Sequence, residues 1–304
     1  MSGTVVILGA TGRFGRHAAE AFWNRGWRVR LFDRSTDDLN VASADADVIV
    51  NAWNPPYTAW KKEVPALTAR VIEAARTSGA MVVIPGNVYV YGEGSPALLQ
   101  NTTLHRAENP LGRVRIEMEA AYRAAGVKTL ILRAGDFIDT EASGNWFDLV
   151  ITSKLNKGKV VAPGDPDVSH AWAYLPDMAR AAVDLVEKRD ELATFEEVLF
   201  PGFTLSLSEL ADLIAAAKGR EVKLTRLNWL PLRLLSLVWP MGAKLLEMRY
   251  LWDMPHRLDG DEFLRLLPNF RTSDPLTAIA NALGQLDVNP NQPVARGGHH
   301  IAAE

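Results

Sequence analysis

Short apolar runs alternate with amphipathic segments through the first two-thirds of the chain. Runs such as Met81–Ile84 and Leu130–Leu132 have no polar position, as is typical of strands that are buried on both faces of a sheet. Segments with helical spacing of apolar residues follow, and this alternation predicts a doubly wound parallel α/β sheet. Strands are predicted near residues 3–8, 28–33, 47–53, 81–86, 128–134 and 195–200, and helices near 13–25, 58–78, 111–125, 144–156 and 176–188.

The pattern changes after about residue 200. Ser206 and Glu209 have the spacing of a capping box, which predicts a helix that ends near Ala217. A short strand is expected at 221–226, and an apolar region rich in Leu and Trp, 229–252, is predicted to be helical.

The chain is therefore predicted to contain two domains. Residues 1–200 form the sheet domain, although parts of 136–175 join the second domain, and residues 201–286 form a smaller, mainly helical unit. A last helix is predicted over 274–284. The tail, 287–304, is expected to be a mobile end, with a metal site at its adjacent histidines as the alternative.

Composition narrows the classes of function. A net charge of −3 gives no basic surface for nucleic acid. The absence of cysteine excludes disulfides, thiol nucleophiles and Cys-based metal sites, and it favours a reducing compartment such as the cytoplasm. No signal peptide is expected, because the first strand follows Met-Ser-Gly directly. Charged residues and a proline interrupt the most apolar stretch, 227–252, so no membrane span is expected.

A glycine-rich loop follows the first predicted strand. Its glycines, Gly9, Gly12 and Gly15, have the spacing that lets a backbone turn sharply and approach a pyrophosphate, and the next helix supplies free N–H donors. Asp33 ends the next strand at the distance expected for a carboxylate that binds the adenosine ribose. The loop therefore predicts a dinucleotide site, with an ordinary strand–helix turn as the alternative. The predicted cofactor contacts are Gly9, Thr11, Gly12, Arg13, Phe14, Gly15, Asp33, Arg34, Asn51, Ala52, Trp53 and Arg115.

Asp33 favours NAD, because a carboxylate repels a 2′-phosphate. NADP is the alternative, since Arg34 or Arg13 could pair with that phosphate. The segment 34–46 is too short for a full helix and strand. We expect at most a helical turn or a short strand there. The adenine ring would then be less enclosed than it is by a full helix and strand.

The chain resembles the short-chain dehydrogenase/reductase superfamily, in its extended branch, the NAD-dependent epimerase/dehydratase family. The resemblance covers roughly residues 3–200 and implies a Rossmann-like fold. Five segments carry it: the glycine loop, Asn51–Ala52 at the family's fourth strand position, Val90–Tyr91–Gly92, Leu132–Asp136 and Tyr174–Ala179.

The family's catalytic residues are replaced in this chain. The family uses a Ser and a Tyr-x-x-x-Lys pair, in which the lysine lowers the pKa of the phenol. Alignment of the helix places Leu111 at the Tyr position and Arg115 at the Lys position, and Asn87 stands at the Ser position. Arg115 could hold the nicotinamide ribose or be a surface charge. Asn87 could orient a substrate carbonyl or a water, or form a turn.

Tyr89 is the leading substitute proton donor, with Arg115 as the cation that would assist it. Tyr89 and Tyr91 could instead be packing residues. His170 could perform acid–base chemistry near neutral pH or be a buried, hydrogen-bonded histidine. The predicted substrate contacts are Asn54, Tyr57, Tyr91, Trp146, His170 and Trp172.

Aromatic residues are concentrated around the predicted loops. Trp53, Tyr57 and Trp60 could form a wall that Trp146, Phe147, Trp172 and Trp252 extend, or they could belong to the core. An apolar or ring-shaped substrate is compatible with this composition.

Two hypotheses for function follow. The first is an NAD(P)-dependent oxidoreductase or epimerase that acts on a hydroxyl or carbonyl carbon of a small molecule, for which the resemblance implies a sugar nucleotide. The second is a dinucleotide-binding sensor or regulatory subunit without chemistry, similar to NmrA-type regulators, which the loss of the catalytic residues favours. A homodimer is compatible with either, and no metal is expected.

Overall fold

The computed structural model describes residues 3–284, and a six-stranded parallel sheet forms its centre. The predicted tail, 287–304, lies outside the described residues. The strands are β1 (Thr4–Leu8), β2 (Arg28–Phe32), β3 (Val48–Asn51), β4 (Met81–Asn87), β5 (Leu98–Leu99), β6 (Thr129–Ala134), β7 (Asp136–Ile138), β8 (Lys159–Ala162), β9 (His170–Tyr174), β10 (Phe195–Leu199), β11 (Phe203–Leu205), β12 (Lys223–Arg226) and β13 (Arg257–Leu258). The helices are α1 (Arg13–Asn24), α2 (Leu39–Ser43), α3 (Trp60–Ser78), α4 (Pro110–Ala125), α5 (Leu175–Glu187), α6 (Leu207–Lys218), α7 (Leu230–Leu235), α8 (Pro240–Glu247), α9 (Asp261–Leu266) and α10 (Pro275–Gly284).

The order of strands in the central sheet is β10-β6-β4-β3-β1-β2, and all neighbouring pairs are parallel. This confirms the predicted doubly wound parallel sheet. The crossover between β2 and β3 contains only the five-residue helix α2, as expected from the length of segment 34–46. Among residues 3–284 no strand pairs with the outer side of β2, so β2 forms one edge of the described sheet.

Helices cover both faces of the sheet. Along β1, Val6 and Leu8 pack into one core with α3 and α4, while Val5 and Ile7 pack into a second core with α1 and α5. Each strand at the centre is therefore buried on both sides, which explains its uninterrupted apolar sequence.

A third core lies beyond the sheet. It combines side chains from 138–174 with side chains from 203–283, including Trp172, Trp229 and Trp252. Parts of the last third nevertheless pack on the sheet domain, since Met248 and Phe263 belong to the first and second cores. The division near residue 200 therefore remains a prediction.

The predicted helix over 144–156 is wrong. The structure has one π-helical turn, Phe147–Ile151, and a short 3₁₀ turn at Leu155–Lys157. Polar side chains compete with the regular helical bonds here: Asn145 Oδ1 accepts from the Asp148 N–H at 3.2 Å, and the Thr152 hydroxyl donates to the Phe147 carbonyl at 2.8 Å.

Other elements match their predictions closely. Ser206 and Glu209 form the expected capping box at the start of α6. The apolar region 229–252 is helical but divided into α7, α8 and a 3₁₀ turn, Arg249–Trp252, with Pro240 at the start of α8.

Candidate functional site

The glycine loop joins β1 to α1 at the centre of the sheet. Gly9 has a positive φ of 74°, and its carbonyl accepts a hydrogen bond from the Gly12 N–H at 2.9 Å. A Cβ on Gly15 would overlap the carbonyl oxygen of Gly9, so only glycine allows this close approach of helix and loop. A Cβ on Gly12 would meet only that same oxygen, at 3.1 Å, and otherwise points into open space.

The start of α1 has no side-chain cap. Gly12 is its N-cap residue, and no acidic residue occupies the first turn. The first N–H groups of a helix have no partner within the helix, and together with the helix dipole they favour an anion. After this loop the chain continues through α1 to β2, which lies on one side of β1, whereas β3 lies on the other side. This position is a topological switch point, where ligands bind in open α/β sheets.

Arg13, the first residue of α1, donates hydrogen bonds to the loop that contains Ser143 and Gly144. Its Nε donates to the Ser143 carbonyl at 2.9 Å, and its Nη2 donates to the Gly144 carbonyl. One turn later, His17 Nε2 lies 2.8 Å from Asp139, which also accepts from Arg16. The segment 139–144 is thereby held against α1 beside the glycine loop.

Asp33 and Arg34 are both exposed after β2. The Ser35 N–H and hydroxyl donate to Asp33 Oδ1 at 2.8 and 2.6 Å, and these bonds lower the pKa of the Asp33 carboxyl. Asp33 therefore presents a negative charge at the end of β2.

The end of β3 lies against the glycine loop. The side-chain amide of Asn51 donates to the Tyr122 hydroxyl at 3.0 Å, and a Cβ on Gly9 would lie 2.8 Å from the Ala52 carbonyl. The Trp53 ring packs edge-on against Phe32 with 5.5 Å between centroids. The predicted cofactor residues of β1, β2 and β3 thus converge at one end of the sheet.

The side chains of two tyrosines, Tyr57 and Tyr89, share a hydrogen bond. The hydroxyls of Tyr57 and Tyr89 are 2.7 Å apart, and both rings contact Trp60. Burial raises the pKa of both phenols, and that of Tyr89 lies well above its ordinary value. The negative charge of Asp136 raises both pKa values further. Because only one proton occupies the shared bond, the second hydroxyl proton is free to be donated elsewhere.

Arg115 lies inside the protein beside this pair. Its Nη2 donates to Asn54 Oδ1 at 2.8 Å, and its guanidinium lies 4.0 Å from the centroid of the Trp60 ring. Its buried Nε has no partner within the described residues. The alternative of a surface charge is therefore wrong. Arg115 lowers the pKa of Tyr57 and Tyr89, but less than burial raises it.

An aspartate and a histidine form a second pair near the tyrosines. Asp136, at the start of β7, has its Oδ2 2.7 Å from His170 Nε2. The imidazole of His170 stacks on Trp252 at 4.3 Å and contacts His256 at 4.4 Å. The imidazole is almost completely buried, whereas the Asp136 carboxylate is more accessible to solvent. Burial and the neighbouring His170 lower the pKa of His256 to about 3, so His256 is neutral.

The start of helix α4 carries Leu111, which is predicted to stand at the family's tyrosine position. Leu111 is buried, and its N–H donates to Glu247 of α8 at 2.6 Å. The side chain of Asn87 accepts from the Tyr89 N–H at 3.1 Å, which is the turn-forming arrangement. Glu247 was not singled out in the sequence, because no local pattern links it to a helix 136 residues away.

The remaining predicted substrate residues occupy other environments. Tyr91 is fully buried and contacts His105 and Arg133 rather than the Tyr57–Tyr89 pair. The partly exposed Trp146 packs against Trp229 and Trp252 in the third core. Trp172 is buried there, and its indole donates to the Leu205 carbonyl at 3.0 Å.

A buried charge cluster lies behind Tyr91. Arg133 donates to Glu119 at 2.8 Å and to Glu197 at 2.6 Å, and His105 lies between the same two carboxylates. The histidine and the two glutamates are close enough to hold a cation. The guanidinium of Arg133 already compensates both carboxylates, so we assign the cluster a role in stability.

Acid is expected to remove the stability that Glu197 provides. Burial raises the pKa of this carboxyl, but Arg133 and His105 outweigh it and hold the pKa at about 2. The folded value lies below the unfolded one, so the contribution is complete above about pH 4.5 and is lost as the pH falls toward 2. It amounts to at most about 3 kcal/mol. Urea unfolding of Glu197→Gln should show a loss at neutral pH that shrinks in acid. The exposed Glu20→Gln is the control, and an equal loss at both pH values would contradict the assignment.

No protein-family model and no curated protein matches the sequence. Solved structures match the fold. A UDP-glucuronic acid 4-epimerase from Bacillus cereus, in complex with a fluorinated UDP-glucuronic acid and NAD, is 16% identical over 93% of this chain and 98% of its own, with a TM-score of 0.73. The Bordetella bronchiseptica enzyme WbmH in complex with NAD⁺ is 16% identical over 94% and 98%, with a TM-score of 0.70. The UDP-Glc/GlcNAc 4-epimerase from Campylobacter jejuni is 14% identical over 93% and 99%, with a TM-score of 0.71.

The predicted resemblance to the epimerase/dehydratase family is thus confirmed at the level of the fold. The likeness extends over more than nine-tenths of this chain and so includes most of its last third. The chain has the Rossmann-like fold that these epimerase structures share.

Proposed function

We propose that the protein binds NAD in the glycine loop and moves a hydride between the nicotinamide and a hydroxyl-bearing carbon. The observation that carries the proposal is the uncapped start of α1, with Gly9, Gly12 and Gly15 in tight contact, at the switch point of the sheet. Pyrophosphate oxygens would accept from the free N–H groups of this turn. Structures of the same fold that were solved with NAD support the choice of cofactor.

The carboxylate of Asp33 favours NAD over NADP. It is exposed and ionised at the end of β2, where it would accept from the ribose hydroxyls. Arg13, the alternative partner for a 2′-phosphate, is occupied by the carbonyls of Ser143 and Gly144. Arg34 is the remaining cation beside Asp33.

Asp33→Ala is expected to weaken NAD binding by roughly tenfold, the worth of one charge-assisted hydrogen bond. NADP binding should improve, because the repulsion of its 2′-phosphate is removed. Calorimetry with each cofactor measures both changes, and Glu73→Ala, which removes an exposed acid on α3, is the control. A wild-type preference for NADP of tenfold or more would contradict the assignment and indicate Arg34.

We propose Asp136 as the group that exchanges the proton. Its carboxylate is hydrogen-bonded to His170 behind it and lies near the Tyr57–Tyr89 pair. The raised pKa values keep both phenols protonated, so they are suited to donate a hydrogen bond to a substrate oxygen rather than to lose a proton. Arg115 and Asn54 would hold the ribose or the substrate beside them. The sequence-based assignment of Tyr89 as proton donor stays a prediction.

A ring alcohol is the proposed substrate class. The neighbouring structures bind UDP-sugars, which makes a sugar nucleotide the first candidate. The aromatic residues Trp53, Tyr57 and Trp60 are partly or wholly buried beside the proposed site and favour an apolar ring face as the alternative. A cytoplasmic location and a homodimer remain predictions. No helix in the described part of the chain has the length and hydropathy needed to cross a bilayer.

Calorimetry with NAD, followed by turnover assays with UDP-glucose and UDP-glucuronic acid and with cyclic alcohols, tests the proposal. We expect NAD binding, reduction of the nicotinamide by one of these substrates, and a 4-epimer or ketone as product. Failure to bind NAD would overturn the proposal.

Binding of NAD without turnover of any substrate would favour the sensor hypothesis. One observation supports that second candidate: Leu111, which is predicted to stand at the family's tyrosine position, is buried and has no proton to exchange.

A further inference from the structure

The hairpin of α7 and α8 carries an unusual concentration of exposed apolar side chains. Six of the thirteen large apolar side chains that are exposed within residues 3–284 lie in the ten positions 230–239, with exposed fractions of 40–82%. We call these six the apolar ridge: Leu230, Leu234, Leu235, Leu237, Val238 and Trp239. Single exposed leucines are ordinary, but a contiguous patch marks an interaction surface.

The ridge is a folded element with fixed ends. Trp229 is buried at its start, and its indole donates to the Pro163 carbonyl at 2.6 Å. Gly242 is buried at its end, in close contact with the Trp239 ring. The tip is closed by backbone bonds to the Leu235 carbonyl from the N–H groups of Val238 and Trp239, at 3.0 and 2.9 Å. The exposure is therefore a property of the fold of this hairpin.

The charged residues within the segment that carries the ridge all have one sign. Residues 222–246 contain four basic residues, Lys223, Arg226, Arg233 and Lys244, and no acidic residue. The whole chain has a net charge of −3, so this segment is a local basic surface on an acidic protein. Arg233 and Lys223 form no ion pair with a described residue, whereas Arg226 lies 4.0 Å from Asp165 and Lys244 lies 2.8 Å from Glu247.

We propose that the ridge inserts into the surface of an anionic lipid bilayer. Leucine, valine and tryptophan at a tip that basic residues flank are the composition of a segment that lies in a membrane interface. The apolar side chains would enter the boundary between headgroups and acyl chains, while the basic side chains would contact anionic headgroups. The proposal is independent of the proposed function and needs no membrane-spanning helix.

A second copy of the chain fits the ridge less well. A two-fold dimer brings the same surface of both copies together. The basic residues of each copy would then approach those of the other, and the carboxylates beside them, Asp165 and Glu247, already pair with Arg226 and Lys244. An anionic surface supplies the missing negative charge.

Co-sedimentation of the full chain with vesicles tests the proposal. The probes are vesicles of phosphatidylcholine alone and vesicles in which about a third of the lipid is phosphatidylglycerol. We expect binding to the anionic vesicles that is at least about tenfold stronger than to the neutral ones and that weakens as salt is added. The double variant Leu237→Ser with Val238→Ser should lose at least about tenfold in affinity for the anionic vesicles.

The matched control is Leu264→Ser, because Leu264 is also an exposed leucine, at 52%, but lies in α9 outside the ridge. It should bind vesicles like the wild type. Thermal unfolding checks that all variants are folded. Arg233→Gln is a second variant that leaves the apolar side chains intact, and it should reduce binding to the anionic vesicles alone. Absence of vesicle binding overturns the proposal. So does a wild-type dimer that the double variant converts to a monomer without any vesicle binding.

Discussion

Gly12→Val is expected to reduce the affinity for NAD by about 10²–10⁴-fold, because the pyrophosphate would lose two charge-assisted hydrogen bonds to the loop. Apart from the Gly9 carbonyl oxygen at 3.1 Å from its Cβ, the valine side chain would enter open space, where we place the pyrophosphate. Its backbone, with φ of −82° and ψ of 171°, is one that valine adopts without strain, so the fold should survive. Calorimetry of NAD binding, together with thermal unfolding of the variant, measures both effects.

Gly12→Ala provides a graded control. Its methyl group would meet the Gly9 carbonyl at 3.1 Å and extend less far into the loop, so an intermediate loss of affinity is expected. A folded Gly12→Val protein that binds NAD as tightly as the wild type would show that the cofactor lies elsewhere.

Asp136→Asn is expected to lower turnover by about 10²–10⁴-fold on the substrate that the assays select, since this is the usual contribution of a general acid–base group. The affinity for NAD should not change, because the glycine loop and Asp33 are untouched. Tyr89→Phe should cost less than Asp136→Asn, because it removes one hydrogen-bond donor and leaves the carboxylate in place. Rates under saturating NAD, with NAD affinities measured separately, distinguish the two effects.

Tyr91→Phe is the matched control for the loss of a phenol. The Tyr91 hydroxyl is buried and has no partner within the described residues, and its ring contacts the Arg133 cluster. Its removal should leave turnover unchanged. If Tyr89→Phe abolishes turnover while Asp136→Asn retains it, Tyr89 is the proton donor, as the sequence predicts.

Features that depend only on residues close to one another along the chain could be predicted from the sequence. The glycine loop, the position of Asp33 and the short crossover through α2 follow from spacing along one segment, and the structure has each of them. The helix predicted over 144–156 failed for a local reason as well, because Asn145 and Thr152 bond to the backbone and replace regular helical bonds.

The arrangement of the candidate site required tertiary contacts. Asp136 and His170 are 34 positions apart, and Tyr57 and Tyr89 are 32 apart, so no local pattern pairs them. A signal for Asp136 was nevertheless present, since it follows β6 at the end of the sheet where ligands bind. Burial could not be foreseen for Arg115, which is predicted to hold the nicotinamide ribose, with a surface charge as the alternative. The structure shows a buried cation that is stacked on Trp60 and hydrogen-bonded to Asn54.

The short crossover also affects how molecules of this protein meet one another. Because α2 replaces a longer unit, β2 is left as an edge strand whose free backbone groups could pair with another chain. Its sequence places Arg28 and Arg30 among Val29, Leu31 and Phe32, and Arg30 donates to the Asp45 carboxylate at 2.8 Å. Charged side chains on an edge oppose the docking of a second strand, so these two arginines protect the protein against aggregation at the place where the sheet has lost its outer neighbour.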